Sequence, residues 1–240
     1  MKTNVLFSYI NTDELAYTDK TTVVIDVLRA STTIIQALQN GAREVIPVAS
    51  VEFAVKVSGG MFGGQTLLGG ERNTKKLEGF ALGNSPLDYT PEVVGGKTII
   101  LFTTNGSKAI VKAKFSENLF IAAFTNLNAM ADHLIKLNID FEILCSGRGN
   151  YFSMEDVICA GKLISDIQKI NKDVELTDSA KASVALSKSF GKSILAMMKQ
   201  TEHGKILMEN NFSEDIKFCS RINTSATIPY LTSGVLKSLQ

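Results

Sequence analysis

The chain has 240 residues, with 45% hydrophobic and 20% charged side chains and a mean hydropathy of +0.11, which excludes an intrinsically disordered protein. Lys and Arg number 25 against 24 Asp and Glu, a net charge of +1, so the basic excess of a nucleic-acid-binding protein is missing. A small local basic site suited to a small anion remains compatible with that balance. No apolar run approaches the roughly 20 residues needed to span a bilayer, and Met1 to Ile10 is too short and mixed for a signal peptide. The three cysteines, Cys145, Cys159 and Cys219, form no CxxC pair. Only His133 and His203 accompany them, which argues against structural zinc and for a reducing, cytoplasmic setting.

Apolar runs alternate with helical patterns along the chain. Thr22 to Val27 reads as a strand buried on both faces, and Ser31 to Asn40 as a helix closed by Gly41. Glu44 to Val48 is a short strand and Val51 to Val57 a short helix. Thr66 to Leu68 is a brief apolar stretch before a Gly-rich loop. A strand over Thr98 to Phe102 leads at once into TTNG and a helix from Ser107 to Lys114. Leu119 to Ala122 reads as a strand, Asn126 to Leu137 as a helix and Phe141 to Cys145 as a strand. Helices follow over Glu155 to Ile170, Ser179 to Lys188 and Ser193 to Lys199. The last 40 residues read as helix, loop and a short C-terminal segment. This alternation predicts a layered α/β/α fold with a largely parallel or mixed sheet. One domain over 1–240 is the simpler expectation, with a two-lobed outline as its variant.

In open α/β sheets ligands bind beyond the carboxyl ends of the strands, and four polar clusters fall at such ends. The first is Asp26 with Arg29, Ser31 and Thr32: an Arg fork and a helix start suit an anion, and the Asp suits a divalent cation. Its plain structural alternative is a capped helix start. The second is Gly69-Gly70-Glu71-Arg72, then Gly79-Phe80 and Gly83-Asn84-Ser85-Pro86. Glu71 and Arg72 diverge in an extended chain, so one can serve the site while the other braces the loop. The third, Thr103-Thr104-Asn105-Gly106-Ser107, could cradle an oxyanion or simply cap a helix. The fourth is Cys145-Ser146-Gly147-Arg148, then Glu155-Asp156 and Cys159-Ala160-Gly161. Glu155 and Asp156 fit either metal ligation or the macrodipole of a helix start.

Neither cysteine of that cluster has a neighbouring histidine, so both read as small buried hydrophobes. His133 and His203 read as surface or packing residues. The glycine pairs Gly59-Gly60, Gly63-Gly64 and Gly69-Gly70 lack the G-x-G-x-x-G order, and no P-loop string occurs. Carboxylates, three arginines and hydroxyl-rich turns form a toolkit for a small polyanion with a hard cation such as Mg²⁺.

The strings VVIDVLRASTTI, GGER, GFALGNSP, TTNGS and CSGR…SMEDVICAG, in this order, resemble the 2-phosphosulfolactate phosphatase family, the ComB-like proteins. The match runs from about Val23 to Gly161 and extends more weakly through HGKILMENNFSEDIKFCSRIN. The chain departs from the family at Asn73-Thr74, where a Gly is common, and at Ala81. The resemblance implies an α/β fold and Mg²⁺-dependent hydrolysis of 2-phosphosulfolactate to 3-sulfolactate and phosphate, in methanogens a step of coenzyme M synthesis. On this reading Asp26, Arg29, Glu71 and Arg72 are catalytic. Ser31, Thr32, Asn84, Thr104, Asn105, Gly106 and Arg148 bind substrate, and Asp26, Glu155 and Asp156 hold the metal. The partner is a small anion rather than nucleic acid or membrane, and a homodimer is the ordinary expectation for an enzyme of this size. Two alternatives stand beside it: a phosphatase for another phosphorylated hydroxy acid, and a non-catalytic binder of sulfonate or phosphate.

Overall fold

The computed structural model describes residues 1–60 and 65–239, so Gly63-Gly64 of the glycine-rich stretch lies outside the described residues. The first half of the chain forms β1 (Lys2–Leu6), β2 (Thr21–Ile25), α1 (Ala30–Gln39), β3 (Glu44–Val48) and α2 (Val51–Gly59). Next come β4 (Thr66–Arg72), β5 (Lys75–Lys76), α3 (Pro91–Val94), β6 (Thr98–Phe102) and α4 (Gly106–Lys112). The second half contains β7 (Asn118–Ala122), α5 (Leu127–Leu137), β8 (Phe141–Cys145), α6 (Met154–Ile170), β9 (Glu175–Leu176) and α7 (Asp178–Phe190). It closes with α8 (Ile194–Gln200), α9 (Glu202–Glu209), α10 (Ser213–Cys219), β10 (Pro229–Thr232) and β11 (Val235–Ser238). Among the described residues no helix is long and apolar enough to cross a membrane.

The strands join in the order β5-β4-β6-β3-β11-β10-β7-β2-β8-β1-β9. Two parallel groups, β4-β6-β3 and β7-β2-β8-β1-β9, flank the antiparallel hairpin β10–β11. The hairpin meets each group through one registered pair, Tyr230 with Phe120 and Leu236 with Val45, both antiparallel. Three antiparallel steps in succession reverse the strand sense between the two groups. Residues beyond the carboxyl ends of β2 and β8 nevertheless line one cavity with residues beyond β6 and β4. The sheet must therefore curl at this seam.

What it curls around is α1, whose residues from Ala30 to Leu38 are buried except Gln36. Ile34, Ala37 and Leu38 pack with Val24, Val45, Ile99, Ile121, Leu144 and Leu236, drawn from six different strands, and α4 adds Ala109 and Ile110. The period-2 alternation of strands sends the intervening residues outward. Val23, Ile25, Phe120 and Ile143 pack under the later helices, including Val157, Ile158 and Leu163 of α6. Ile100 and Phe102 pack with Ala54 of α2. Helices thus cover both faces of a mixed, mostly parallel sheet, the layered α/β arrangement expected from the alternating pattern.

Three elements differ from the sequence expectations. The stretch Gly69–Arg72 is strand, not loop: β4 continues to Arg72 because Gly69 and Gly70 pair in parallel with Leu101 and Phe102. The mostly polar β1 becomes a strand because β8 and β9 pair with it on both sides. The C-terminal segment is a hairpin turned at Ser233-Gly234, both at positive φ (49° and 80°), the geometry of a two-residue type I′ turn.

Gly70 is required for the β4–β6 contact. It sits at φ +146°, and a Cβ there would overlap the Phe102 carbonyl. Gly70→Ala should lower stability by roughly 2–4 kcal/mol in chemical denaturation, from strain and overpacking together. A change under about 0.5 kcal/mol would contradict the close approach.

Candidate active site

A cavity of about 540 Å³ opens where the loops after β2, β4, β6 and β8 converge with the first turn of α9. Its walls include Asp26, Arg29, Glu71, Asn84, Thr104, Asn105 and Arg148, so most of the sequence-derived candidates meet in one place. Three polar atoms in those walls, Thr74 Oγ1, Asn84 Oδ1 and Thr104 Oγ1, are buried without a hydrogen-bond partner. Buried polar groups are almost always satisfied, so three orphans on three loops around one cavity indicate a site shaped for a polar ligand.

Asp26 follows β2 directly. Its backbone N–H donates to Ser31 Oγ, and its carboxylate accepts the Ala30 N–H, which turns the chain into α1. Gly106 makes room for this carboxylate, because a Cβ there would overlap Asp26 and Ala30. Burial pushes the Asp26 carboxyl up to about 6; the His203 charge, the Ala30 N–H and the Ser146 hydroxyl pull against burial, while Glu71 adds to it. Behind it Asp156, in the first turn of α6, accepts from Val27 N at 2.8 Å and from Ser146 Oγ at 3.1 Å. Burial, then the charges of Asp26 and Glu155, push the Asp156 carboxyl well above its ordinary range.

The arginines divide into three kinds. Arg29 is buried, donates to Asp215 Oδ2 at 2.6 Å and to the Thr74 carbonyl at 2.9 Å, and stacks 4.1 Å over the Phe212 ring. A guanidinium has five N–H groups, so those left over can still meet an anion. Arg148 sits at the rim, 40% exposed and 3.5 Å from Glu202. Arg72 corrects the expectation: it is exposed at the end of β4, lies 5.9 Å from the Phe102 ring and does not line the cavity. Strand alternation sends Glu71 inward and Arg72 outward.

Several other candidates serve the frame. Both Glu71 oxygens accept backbone N–H groups, from Thr74 and Thr104, so Glu71 ties the β4 loop to the β6 loop. This also takes the Thr104 N–H away from any oxyanion cradle, as Ser107 Oγ takes the Thr103 N–H. Ser31 and Thr32 are buried and turned to Asp26 N and the Val27 carbonyl, away from the cavity. Neither Glu155 nor Asp156 lines the cavity; Asp156 is committed as above, and Glu155 opens on an adjoining depression. Among the described residues no three Asp, Glu, His or Cys side chains form a closed metal cage. Of the expected metal ligands, only Asp26 faces the cavity.

His203, expected as a surface or packing residue, is instead a cavity residue. It stands in the first turn of α9, lines the cavity and places Nδ1 3.7 Å from Glu155 Oε1. His133 is a packing residue as expected, edge-on to Phe120 at 4.8 Å. The cysteines are buried and free, and burial foremost raises all three thiols, Cys219 to about 12.

Carboxyl groups dominate this region. Asp26, Glu71 and Glu202 line the cavity and Glu155, Asp156 and Asp215 stand behind it, against Arg29, Arg148 and His203. The Asp26 carboxyl holds its proton to about pH 6 in the folded chain against about 3.8 as its ordinary value. The folded state therefore binds more protons across that window, and this group's contribution to stability falls as pH rises from 4 to 7. In EDTA, wild type should lose about 2–3 kcal/mol relative to Asp26→Asn between those pH values, measured by urea denaturation. A difference independent of pH would contradict a buried, raised carboxyl.

Comparison with known proteins shows the family of the chain. A family model described as 2-phosphosulpholactate phosphatase matches residues 8–234. A protein of Caldanaerobacter subterraneus subsp. tengcongensis is 40% identical over 240 residues, covering 100% of this chain and 98% of the relative. Relatives from Clostridium novyi (41% over 219 residues, 91% and 92% covered) and Clostridium beijerinckii (36% over 234 residues, 98% and 98%) are similar. All three carry the name "Probable 2-phosphosulfolactate phosphatase". The chain belongs to the 2-phosphosulfolactate phosphatase family.

Proposed function

We propose that this protein hydrolyses 2-phosphosulfolactate to 3-sulfolactate and phosphate in a Mg²⁺-dependent reaction. The observation that carries the reading is the polar cavity with three orphaned hydrogen-bonding groups at the strand ends, in a chain of this family. The buried, raised thiols and the lack of a Cys–His pair among the described cavity walls argue against a cysteine nucleophile. Attack by water on phosphorus is the simplest chemistry for this inventory.

Charge decides how an anion enters. Two like charges 4 Å apart repel by about 4 kcal/mol at an effective dielectric near 20, so a polyanion facing this carboxyl-rich wall needs added positive charge. Mg²⁺ takes one or two carboxylates and completes its shell with water and phosphate oxygens, which fits an open site with Asp26 as the protein donor. When bound there, it supplies neutralisation for the phosphate oxygens. Arg29, immobilised by Asp215, Thr74 and Phe212, offers a fixed fork to one anionic group. Arg148, exposed and loosely paired, closes from the rim on a second. The Thr74 and Thr104 hydroxyls donate to the remaining oxygens, and Asn84 Oδ1 accepts from water held beside them. The setting is cytoplasmic, with a homodimer as the assembly.

The test is phosphate release from racemic 2-phosphosulfolactate in Mg²⁺ and in EDTA, beside phospholactate and phosphoglycerate. The reading predicts Mg²⁺-dependent release confined to the sulfonated ester, lowered roughly 10²–10⁴-fold in a folded Asp26→Asn protein. Release from phospholactate alone would assign another hydroxy acid. No release, with sulfolactate bound equally in EDTA and Mg²⁺, would make the protein a binder rather than an enzyme.

A further inference from the structure

The bond cleaved in the proposed reaction joins phosphorus to the oxygen of a secondary alcohol. An alkoxide is a poor leaving group, so the transition state gains from a proton delivered to that oxygen. This requirement rests on the phosphatase reading above, and the cavity limits which residue can meet it.

A guanidinium serves as a hydrogen-bond donor and not as a general acid, which sets Arg29 and Arg148 aside. Both Glu71 oxygens are occupied by backbone N–H groups. Glu202 is 87% exposed and faces Arg148. Tyr151 lies at the rim, 77% exposed. Asp26 is the carboxylate that would hold the metal on the proposed reading. Among the described cavity walls that leaves His203, 19% exposed, in the first turn of α9.

We infer that His203 is the general acid that protonates the leaving alkoxide and that Glu155 is its positioning residue. Glu155 is 2% exposed, and its Oε1 faces Nδ1 at 3.7 Å. With Nδ1 turned to Glu155, Nε2 is the nitrogen for the substrate. The charged groups around the ring are Glu155 from α6, Asp26 after β2, and Arg148 and Glu202 at the rim. The ring bridges the main cavity and the depression that Glu155 lines. Nucleophile–base–orienter series of this kind fix an imidazole by a buried carboxylate on its far nitrogen.

Water forms the new bond to phosphorus while the ester P–O bond breaks and its electron pair stays on the alcohol oxygen. The proton of Nε2 passes to that oxygen, giving the alcohol, neutral His203 and dihydrogen phosphate. Dihydrogen phosphate then returns one proton to the imidazole and leaves as hydrogen phosphate.

The test compares 2-phosphosulfolactate with its 3,3-difluoro analogue, whose fluorines acidify the leaving alcohol and remove the need for a proton donor. His203→Gln should lower kcat by about 10²–10³-fold on the parent ester and by less than about 10-fold on the difluoro ester. Glu155→Gln should show a smaller loss with the same preference. Circular dichroism of both variants checks that they fold. Equal losses on the two esters for both variants would overturn the role of the pair while leaving the phosphatase reading intact. Folded wild type that hydrolyses neither ester would overturn that reading and this inference with it.

Discussion

The contact on which the site depends is that of Asp156 with the turn after β2. Its carboxylate reaches from α6 to the Val27 N–H and to the Ser146 hydroxyl, and so joins the ends of β2 and β8. That bond sets a second carboxyl, Asp26, at the floor of the cavity, with burial disfavouring charge on both. Two buried acids this close form a stable arrangement only when protons or cations accompany them. The proposed Mg²⁺-dependent reaction follows from that constraint, because a polyanion arriving with a divalent cation would bring the missing positive charge.

Long-range ties fix the rest of the cavity around this floor. Glu71 binds the β4 and β6 loops to each other. Arg29 links the β2 turn to Asp215 of α10 and to Thr74, while Asp215 also accepts from Ser85. The curled sheet makes these ties short: wrapping around α1 brings two strand groups of opposite sense to one mouth. The arrangement trades cationic reach for rigidity, since Arg29 is neutralised where it stands. Among the described cavity walls, the groups left to meet a ligand from the basic side are Arg148 and the His203 ring.

Much of this was legible in the sequence. The central strands and the helices between them are dense apolar runs whose local pattern agrees with their final environment, as at Thr98–Phe102 and Met154–Ile170. Asp26, Arg29, Glu71, Asn84, Thr104, Asn105 and Arg148 were placed at strand ends by the same pattern. What escaped depended on distant partners. β1 is a strand only because β8 and β9 flank it. Arg72 turned outward because the strand runs four residues beyond its apolar part, Thr66–Leu68. His203 looked like a lone histidine because Glu155 and Asp26, its neighbours in space, are far away in the chain. The string that begins with it, and that also carries Asp215, was visible as a resemblance, yet nothing in its spacing revealed either contact.

The proposed function turns on charge, because it has the carboxyl-rich cavity take up an anion together with a cation. Calorimetric titration of inorganic phosphate into the protein, in EDTA and in Mg²⁺, tests that most directly, because linked ligands must strengthen each other's binding. The account predicts binding at least about 10-fold tighter in Mg²⁺, a coupling of roughly 1.4 kcal/mol or more, and its loss in Asp26→Asn. Equal affinity in EDTA and Mg²⁺ would contradict it.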